Sequence, residues 1–245
     1  MVEIQVLSDL EVLSLKAAEI FVGLSRRCIA RKKKFMVAAS GGFTPRRLYA
    51  LLGSDLYDAQ VDWRYIHFFW ADERFVSFFH ADSNYRLLHD NLLSRISIPQ
   101  ENIHPVRTDL PTPQVSARNY EEDIKKSFGL SEFSLPQFDL ILLGIGEDGH
   151  TASIFPDNEV LRETKHLVVS ARDSKHIHHR ISLTLPVING AETVIFLVSG
   201  KNKADVVKKV LVEKDHSLPA SLVNPEKGNL IFLIDKAAAL YLKNV

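Results

Sequence analysis

The chain has 245 residues, 30 Lys plus Arg against 30 Asp plus Glu, and a single cysteine. Balanced charge leaves no global field for nucleic acid or an acidic membrane, so any affinity for an anion has to be local. No apolar run is long enough to span a bilayer, Val2-Glu3-Ile4-Gln5-Val6-Leu7 lacks signal-peptide character, and one thiol excludes an internal disulfide; together these point to the cytoplasm.

In chain order, a helical pattern covers Leu10 to Ala30, with Cys28 beside Leu24 and Ile29, which suits a buried structural thiol over a nucleophile. Arg31-Lys32-Lys33-Lys34 ends it, and cations suit the negative end of a helix dipole, so the run reads as a solvated last turn. Phe35 to Ala39 is a short apolar strand, Ser40-Gly41-Gly42-Phe43-Thr44 a small-residue loop, and Pro45 opens a helical pattern through Leu52. Such a turn presents backbone N–H groups and two hydroxyls at the positive end of a helix, which suits a phosphate. It has neither the Walker-A lysine nor Gly-x-Gly-x-x-Gly spacing, so no nucleotide and no other cofactor is expected.

Tyr65 to Trp70 is strand-like and runs into Asp72-Glu73-Arg74, charged groups that either bind a polar substrate or pair with each other. Ser83 to Ile96 reads as a helix with Leu87, Leu88 and Leu92 at core spacing, and Val115 to Phe128 as a more polar one. Leu110 to Pro113 and Ser131 to Pro136 read as surface connections. Phe138 to Leu143 reads as a buried parallel strand, and at its carboxyl end Gly144-Ile145-Gly146-Glu147-Asp148-Gly149-His150 sets an imidazole into a glycine-rich turn. Ligands of open α/β sheets bind outside strand carboxyl ends, which favours a working His150; the alternative is a turn whose histidine only caps or fills a gap. Further strands are expected at Leu167 to Val169, Ile181 to Leu185, Thr193 to Val198 and Leu230 to Ile234, with a helix over Lys203 to Leu211. The length allows one α/β domain or two small ones. Alternation along the whole chain favours one domain over residues 1–245, a three-layer α/β/α sandwich with a mostly parallel, Rossmann-like sheet. His176-Ile177-His178-His179 has no cysteine and no carboxylate in ligand spacing, so no metal site is expected beyond adventitious zinc.

Joint occurrence of Ala39 through Pro45, Trp70 through Arg74, Ser83-Asn84-Tyr85, Gly144 through Pro156, Arg180 through Thr184, Gly200 through Ala204 and Leu218 through Ser221 resembles the 6-phosphogluconolactonase family, within the group that includes glucosamine-6-phosphate deaminase. The motifs run in family order over nearly the whole chain. The continuation Thr151-Ala152-Ser153-Ile154-Phe155-Pro156 follows the lactonase pattern and lacks the glutamate of the deaminases.

The resemblance implies hydrolysis of 6-phosphogluconolactone, with Ser40, Gly41, Gly42 and Thr44 as phosphate loop, Arg180 and Lys201 as cations near the same group, and Asp72 as a further substrate contact. Alternatives for the cations are pairing of Arg180 with Asp173 and a helix start at Lys201. Opening an activated ester needs a base near neutral pKa and positive charge at the nascent oxyanion. His150 takes the base role and then donates to the ring oxygen, Asp148 is placed to orient it, and Arg74 to hold the oxyanion or a sugar oxygen. No Gly-x-Ser-x-Gly elbow is present, so no acyl-enzyme is expected. The expected partner is a small sugar phosphate, with neither nucleic acid nor membrane, in a monomer or small homo-oligomer. Rival readings are a deaminase or aldose-ketose isomerase using His150 with Asp72, and a non-catalytic sugar-phosphate sensor.

Overall fold

The computed structural model describes residues 2–131, 134–172 and 178–242. Among the described residues the strands are β1 (Val2–Leu7), β2 (Phe35–Ala39), β3 (Ile66–Trp70), β4 (Asp72–Arg74), β5 (Leu140–Leu143), β6 (Val168–Ala171), β7 (Arg180–Leu183), β8 (Thr193–Val198) and β9 (Asn229–Asp235). The α-helices are α1 (Leu10–Lys32), α2 (Phe43–Leu52), α3 (Asp55–Asp58), α4 (Asn84–Asn91), α5 (Pro113–Phe128), α6 (Leu185–Asn189) and α7 (Ala204–Lys208). Six strands form one wholly parallel sheet in the order β1-β9-β8-β5-β2-β3, flanked by helices as the alternating pattern predicts. Three of its four inner strands, β2, β5 and β8, are buried at every position, which parallel strands covered on both faces require.

The sheet order reverses between β2 and β5. From β2 the chain proceeds outward to β3, and from β5 it builds through β8 and β9 toward β1, so the connections leave this pair on opposite sides. A crevice opens where they part. The glycine turns at residues 40–42 and 144–149 sit at the two carboxyl ends that flank it.

A small antiparallel sheet, β4-β7-β6, was not expected, because Asp72-Glu73-Arg74 looks like a charged loop. Cross-strand pairing recruits it: Asp72 lies opposite Ser182, Glu73 opposite Ile181 and Arg74 opposite Arg180. β1 is a second addition, its Val/Glu/Ile/Gln/Val alternation being that of a half-exposed edge strand.

Several boundaries shift for local reasons. α2 begins at Phe43, not Pro45, because Gly42 at φ 106° turns the chain into the helix early; no side chain caps it. β7 stops at Leu183 because Thr184 stands at the N-cap of α6, which carries Pro186 in its first turn and Gly190 behind it. The helix expected over Ser83 to Ile96 is α4, capped by the Ser83 hydroxyl and followed by a 3₁₀ turn. The helix expected from Lys203 is α7, continued by a π turn over Lys209–Glu213.

The amino ends of the strands are fastened by one buried carboxylate. Asp139 accepts the Met36 N–H at 2.8 Å and pairs with Lys32 at 2.7 Å, while Arg31 pairs with Glu192 at 2.8 Å. The basic run ending α1 is therefore partly ion-paired rather than simply solvated. Cys28 lies in the same place, buried, and burial followed by the Asp139 charge pushes its thiol up to about 11, as a structural cysteine requires. Replacing Asp139 with Ala strands the Met36 N–H, and should lower stability by about 1–3 kcal/mol with little change in denaturant slope. Urea unfolding monitored by circular dichroism measures it.

Candidate active site

A cavity of about 550 Å³ opens at the switch point. Residues 40–45 after β2, Asp72, Arg74 and Asn84 beyond β3, Gly144 to Gly146 with His150 after β5, Arg180 of β7, and Ser199, Asn202 and Lys203 after β8 line it. Five segments far apart in sequence thus meet because each lies in, or follows, a strand of the two sheets.

His150 is locked to Asp148, whose Oδ1 lies 2.6 Å from Nδ1 and also accepts the His150 N–H at 3.2 Å. The His150 hydrogen bond holds the Asp148 carboxyl well below the usual carboxylate range. An ionised Asp148 places the imidazole proton on Nδ1 and leaves Nε2 as the nitrogen that takes a proton. This compact pair needs a glycine beneath it, since a Cβ on Gly146 would lie 2.2 Å from His150 Nδ1 and 2.5 Å from Asp148 Oδ1. Gly149, at φ 85°, makes the reversal, and the His150 carbonyl accepts the Gly146 N–H at 2.8 Å to close it. The Phe155 ring packs on the imidazole with centroids 4.9 Å apart.

The loop after β2 is shaped by hydrogen bonds within the protein. The Ser40 hydroxyl donates to the Leu142 carbonyl at 2.6 Å, and the Tyr49 hydroxyl bridges the Ser40 N–H and carbonyl at 3.1 and 2.7 Å. Ser40 clamps the loop to β5, so its hydroxyl proton is committed to the backbone. Thr44 does line the cavity and lies in the first turn of α2, among N–H groups without helical partners. Gly41 and Gly42 have separate reasons: a Cβ on Gly41 would sit 1.7 Å from Asn84 Oδ1, whereas Gly42 has open space but a positive φ.

Asn84 was quoted in the sequence only as part of a motif. It is buried, and its amide nitrogen donates to the Asp72 carbonyl at 2.8 Å and to Oδ1 at 3.3 Å. Ser153 completes the grip, donating to Asp72 Oδ2 at 2.6 Å while its own N–H is bound by Ser182 Oγ at 3.1 Å. Asp72 is thus an oriented, buried carboxylate on the cavity wall. Behind it, Glu73 accepts the N–H groups of Arg74, Asn84 and Tyr85, each at 2.7 Å, and the Ser83 hydroxyl at 3.3 Å. Burial pushes the Glu73 carboxyl up to about 7 against the pull of those three N–H groups.

Arg74 and Arg180 face each other across the antiparallel pair, and both line the cavity. Arg74 Nη1 donates to the Asp82 carbonyl at 2.7 Å, but Nε of each arginine is buried without a protein partner among the described residues. Burial, then the neighbouring Arg74 cation, lowers the Arg180 pKa. Two adjacent guanidiniums with unused donors form a receptor for an anion. Asp173, the alternative partner for Arg180, lies outside the described residues. Lys201 is exposed and does not line the cavity; Lys203, two residues on and half-buried, does. The 3₁₀ turn Lys201–Lys203 that follows Gly200, at φ 105°, sets which lysine turns inward.

Fold and site together define an α/β protein with an anion-receptive cavity, built around a His–Asp pair, at a topological switch point. The family model for glucosamine-6-phosphate isomerases/6-phosphogluconolactonase matches residues 8–232, and the chain belongs to that family. It is 36% identical over 241 residues to the 6-phosphogluconolactonase of Nostoc sp., covering 98% of both proteins. The crystal structure of 6-phosphogluconolactonase from Thermotoga maritima superposes with a TM-score of 0.82 at 31% identity, over 96% of this chain and all of that one. A monomeric glucosamine-6-phosphate deaminase shares the fold, with a TM-score of 0.80 over 97% of this chain and 99% of that one, at 21% identity. The fold alone therefore does not select the chemistry.

Removing the Glu73 carboxylate tests the wall's scaffolding. Glu73→Ala buries three backbone N–H groups and a hydroxyl without an acceptor, and at about 1–3 kcal/mol each should cost more than about 3 kcal/mol. Glu73→Gln, which keeps one acceptor oxygen, should fall between. Equilibrium unfolding of the three proteins gives the ranking, and equal stability of parent and Glu73→Ala would remove Glu73 from this role.

Proposed function

We propose that this protein hydrolyses 6-phospho-D-glucono-1,5-lactone to 6-phospho-D-gluconate, the lactone-opening step of the oxidative pentose phosphate pathway. The observation that carries the reading is the His150–Asp148 pair, 2.6 Å apart, in one cavity with two arginines whose Nε groups have no partner among the described residues. The family assignment and the relatives named as lactonases support it.

In this mechanism Nε2 of His150 takes a proton from a water attacking the lactone carbonyl, and ionised Asp148 stabilises the imidazolium that results. Arg74 faces the developing oxyanion. As the tetrahedral intermediate collapses, the bond from carbonyl carbon to ring oxygen breaks and the imidazolium returns the proton to that oxygen, leaving a carboxylic acid and a hydroxyl. The N–H groups around Gly41, Gly42 and Thr44, with Arg180 and Lys203, hold the phosphate. Asp72, fixed by Asn84 and Ser153, orients sugar hydroxyls.

Freshly prepared 6-phosphogluconolactone should release protons far faster with enzyme than without, unphosphorylated gluconolactone should be a much poorer substrate, and glucosamine 6-phosphate should yield no ammonia. Ammonia release without lactone opening would assign the site to the deaminase chemistry instead. His150→Ala should lose about 10²- to 10⁴-fold in kcat, measured above spontaneous opening, while retaining product binding. Near-full turnover in this variant would sink the base assignment.

Arg180 separates binding from chemistry. A charge-assisted contact to phosphate present in ground and transition states alike is uniform binding, so Arg180→Ala should raise KM by about one to two orders of magnitude with kcat little changed. Arg180→Lys should restore part of this, keeping charge and losing the fork. A loss confined to kcat would move Arg180 to the reacting carbonyl.

A further inference from the structure

Outside the cavity, the segment leaving β4 and the segment entering β7 bring together a donor set that the lactone chemistry does not use. His80, Asp82 and His178 each offer one ligand atom, all within 4.8 Å of one another. His178 Nε2 lies 3.1 Å from Asp82 Oδ2, His80 Nδ1 lies 3.8 Å from the same oxygen, and the two rings meet edge to face at 5.3 Å. Two imidazoles and a carboxylate are the donors of zinc-class divalent ions, with a remaining position for water. Bonds of about 2.0–2.2 Å in a tetrahedron require donors roughly 3.3–3.5 Å apart, so Asp82 and His178 are near that spacing, and His80, whose Nδ1 accepts the Asp82 N–H at 3.1 Å, has to turn to offer a ring nitrogen. That turn is open, because the His80 and Asp82 side chains are about half exposed, at 46% and 54%.

A second convergence among the described residues, Cys28 with Asp139 and Glu192, lacks this character. Lys32 and Arg31 already neutralise its carboxylates, and its thiol is raised away from the thiolate that binds metal. At His80, Asp82 and His178 no Lys or Arg among the described residues pairs with the carboxylate.

We propose that His80, Asp82 and His178 bind a single zinc-class divalent cation that clasps the loop after β4 to the start of β7. The place is structurally pointed. Asp82 also gives its carbonyl to Arg74, and the Phe75 N–H donates to the His179 carbonyl at 2.8 Å, so the clasp closes one residue outside the Arg74–Arg180 pair. An ion here ties together two segments otherwise joined at this end by that backbone bond and by the Asp82–His178 contact.

The test uses the full, untagged chain, stripped with chelator and titrated with Zn²⁺ by calorimetry and with Co²⁺ by visible absorption, which reports tetrahedral coordination through intense d–d bands. One equivalent should bind with a rise in Tm. His80→Ala, at an exposed position, and His178→Ala, at a partly buried one, should each weaken binding by more than about tenfold and abolish the Tm rise, while circular dichroism stays that of the parent. Absence of stoichiometric binding in the parent, or undiminished binding in both variants, overturns the site.

Discussion

Everything functional in this molecule depends on the parallel pairing of β2 with β5. Because the chain departs from these neighbours in opposite directions, no crossover covers the gap between their carboxyl ends, and the two glycine turns are left facing the same space. The pairing is tightened at that point by Ser40, whose hydroxyl reaches across to the Leu142 carbonyl, and by Tyr49, which holds both polar groups of the Ser40 backbone. A cavity between two turns keeps its shape only if the turns keep their separation. These buried hydrogen bonds set it.

The second constraint is polar burial. Asp72, Glu73, Asn84, Ser153 and Ser182 are all nearly inaccessible, and they bond chiefly to one another or to nearby backbone, Asn84 Oδ1 alone among their side-chain atoms having no partner among the described residues. Such a network is costly if half satisfied and rigid if complete. Here it joins the small antiparallel sheet to the loop after β5, so Asp72, Arg74 and Arg180 reach the cavity as a unit rather than as three mobile side chains. Of the buried side-chain atoms without a partner among the described residues, Arg74 Nε, Arg180 Nε and Asn84 Oδ1 belong to residues that line the cavity.

Electrostatically the chain is neutral overall yet the cavity is not. The neutral total removes long-range steering, while Arg74, Arg180 and Lys203 concentrate positive charge along the cavity wall, where low dielectric magnifies each contact. The same crowding lowers the Arg180 pKa, through burial and then through Arg74.

The sequence by itself determined the parallel α/β class, the strands β2, β3, β5, β8 and β9 to within two residues at either end, and the meeting of His150 and Asp148 in a glycine turn. These are local matters: apolar runs bounded by glycine define buried strands, and a two-residue separation bends a carboxylate back onto an imidazole when Gly146 leaves room. Tertiary structure alone decided that Asp72-Glu73-Arg74 is a strand, that Arg180 confronts Arg74, that the Ser40 hydroxyl is spent on Leu142, and that Lys203 rather than Lys201 turns inward. Each of these depends on a partner brought from tens of residues away, through cross-strand register or the path of a turn over the sheet. Periodicity along one segment carries no information about that partner.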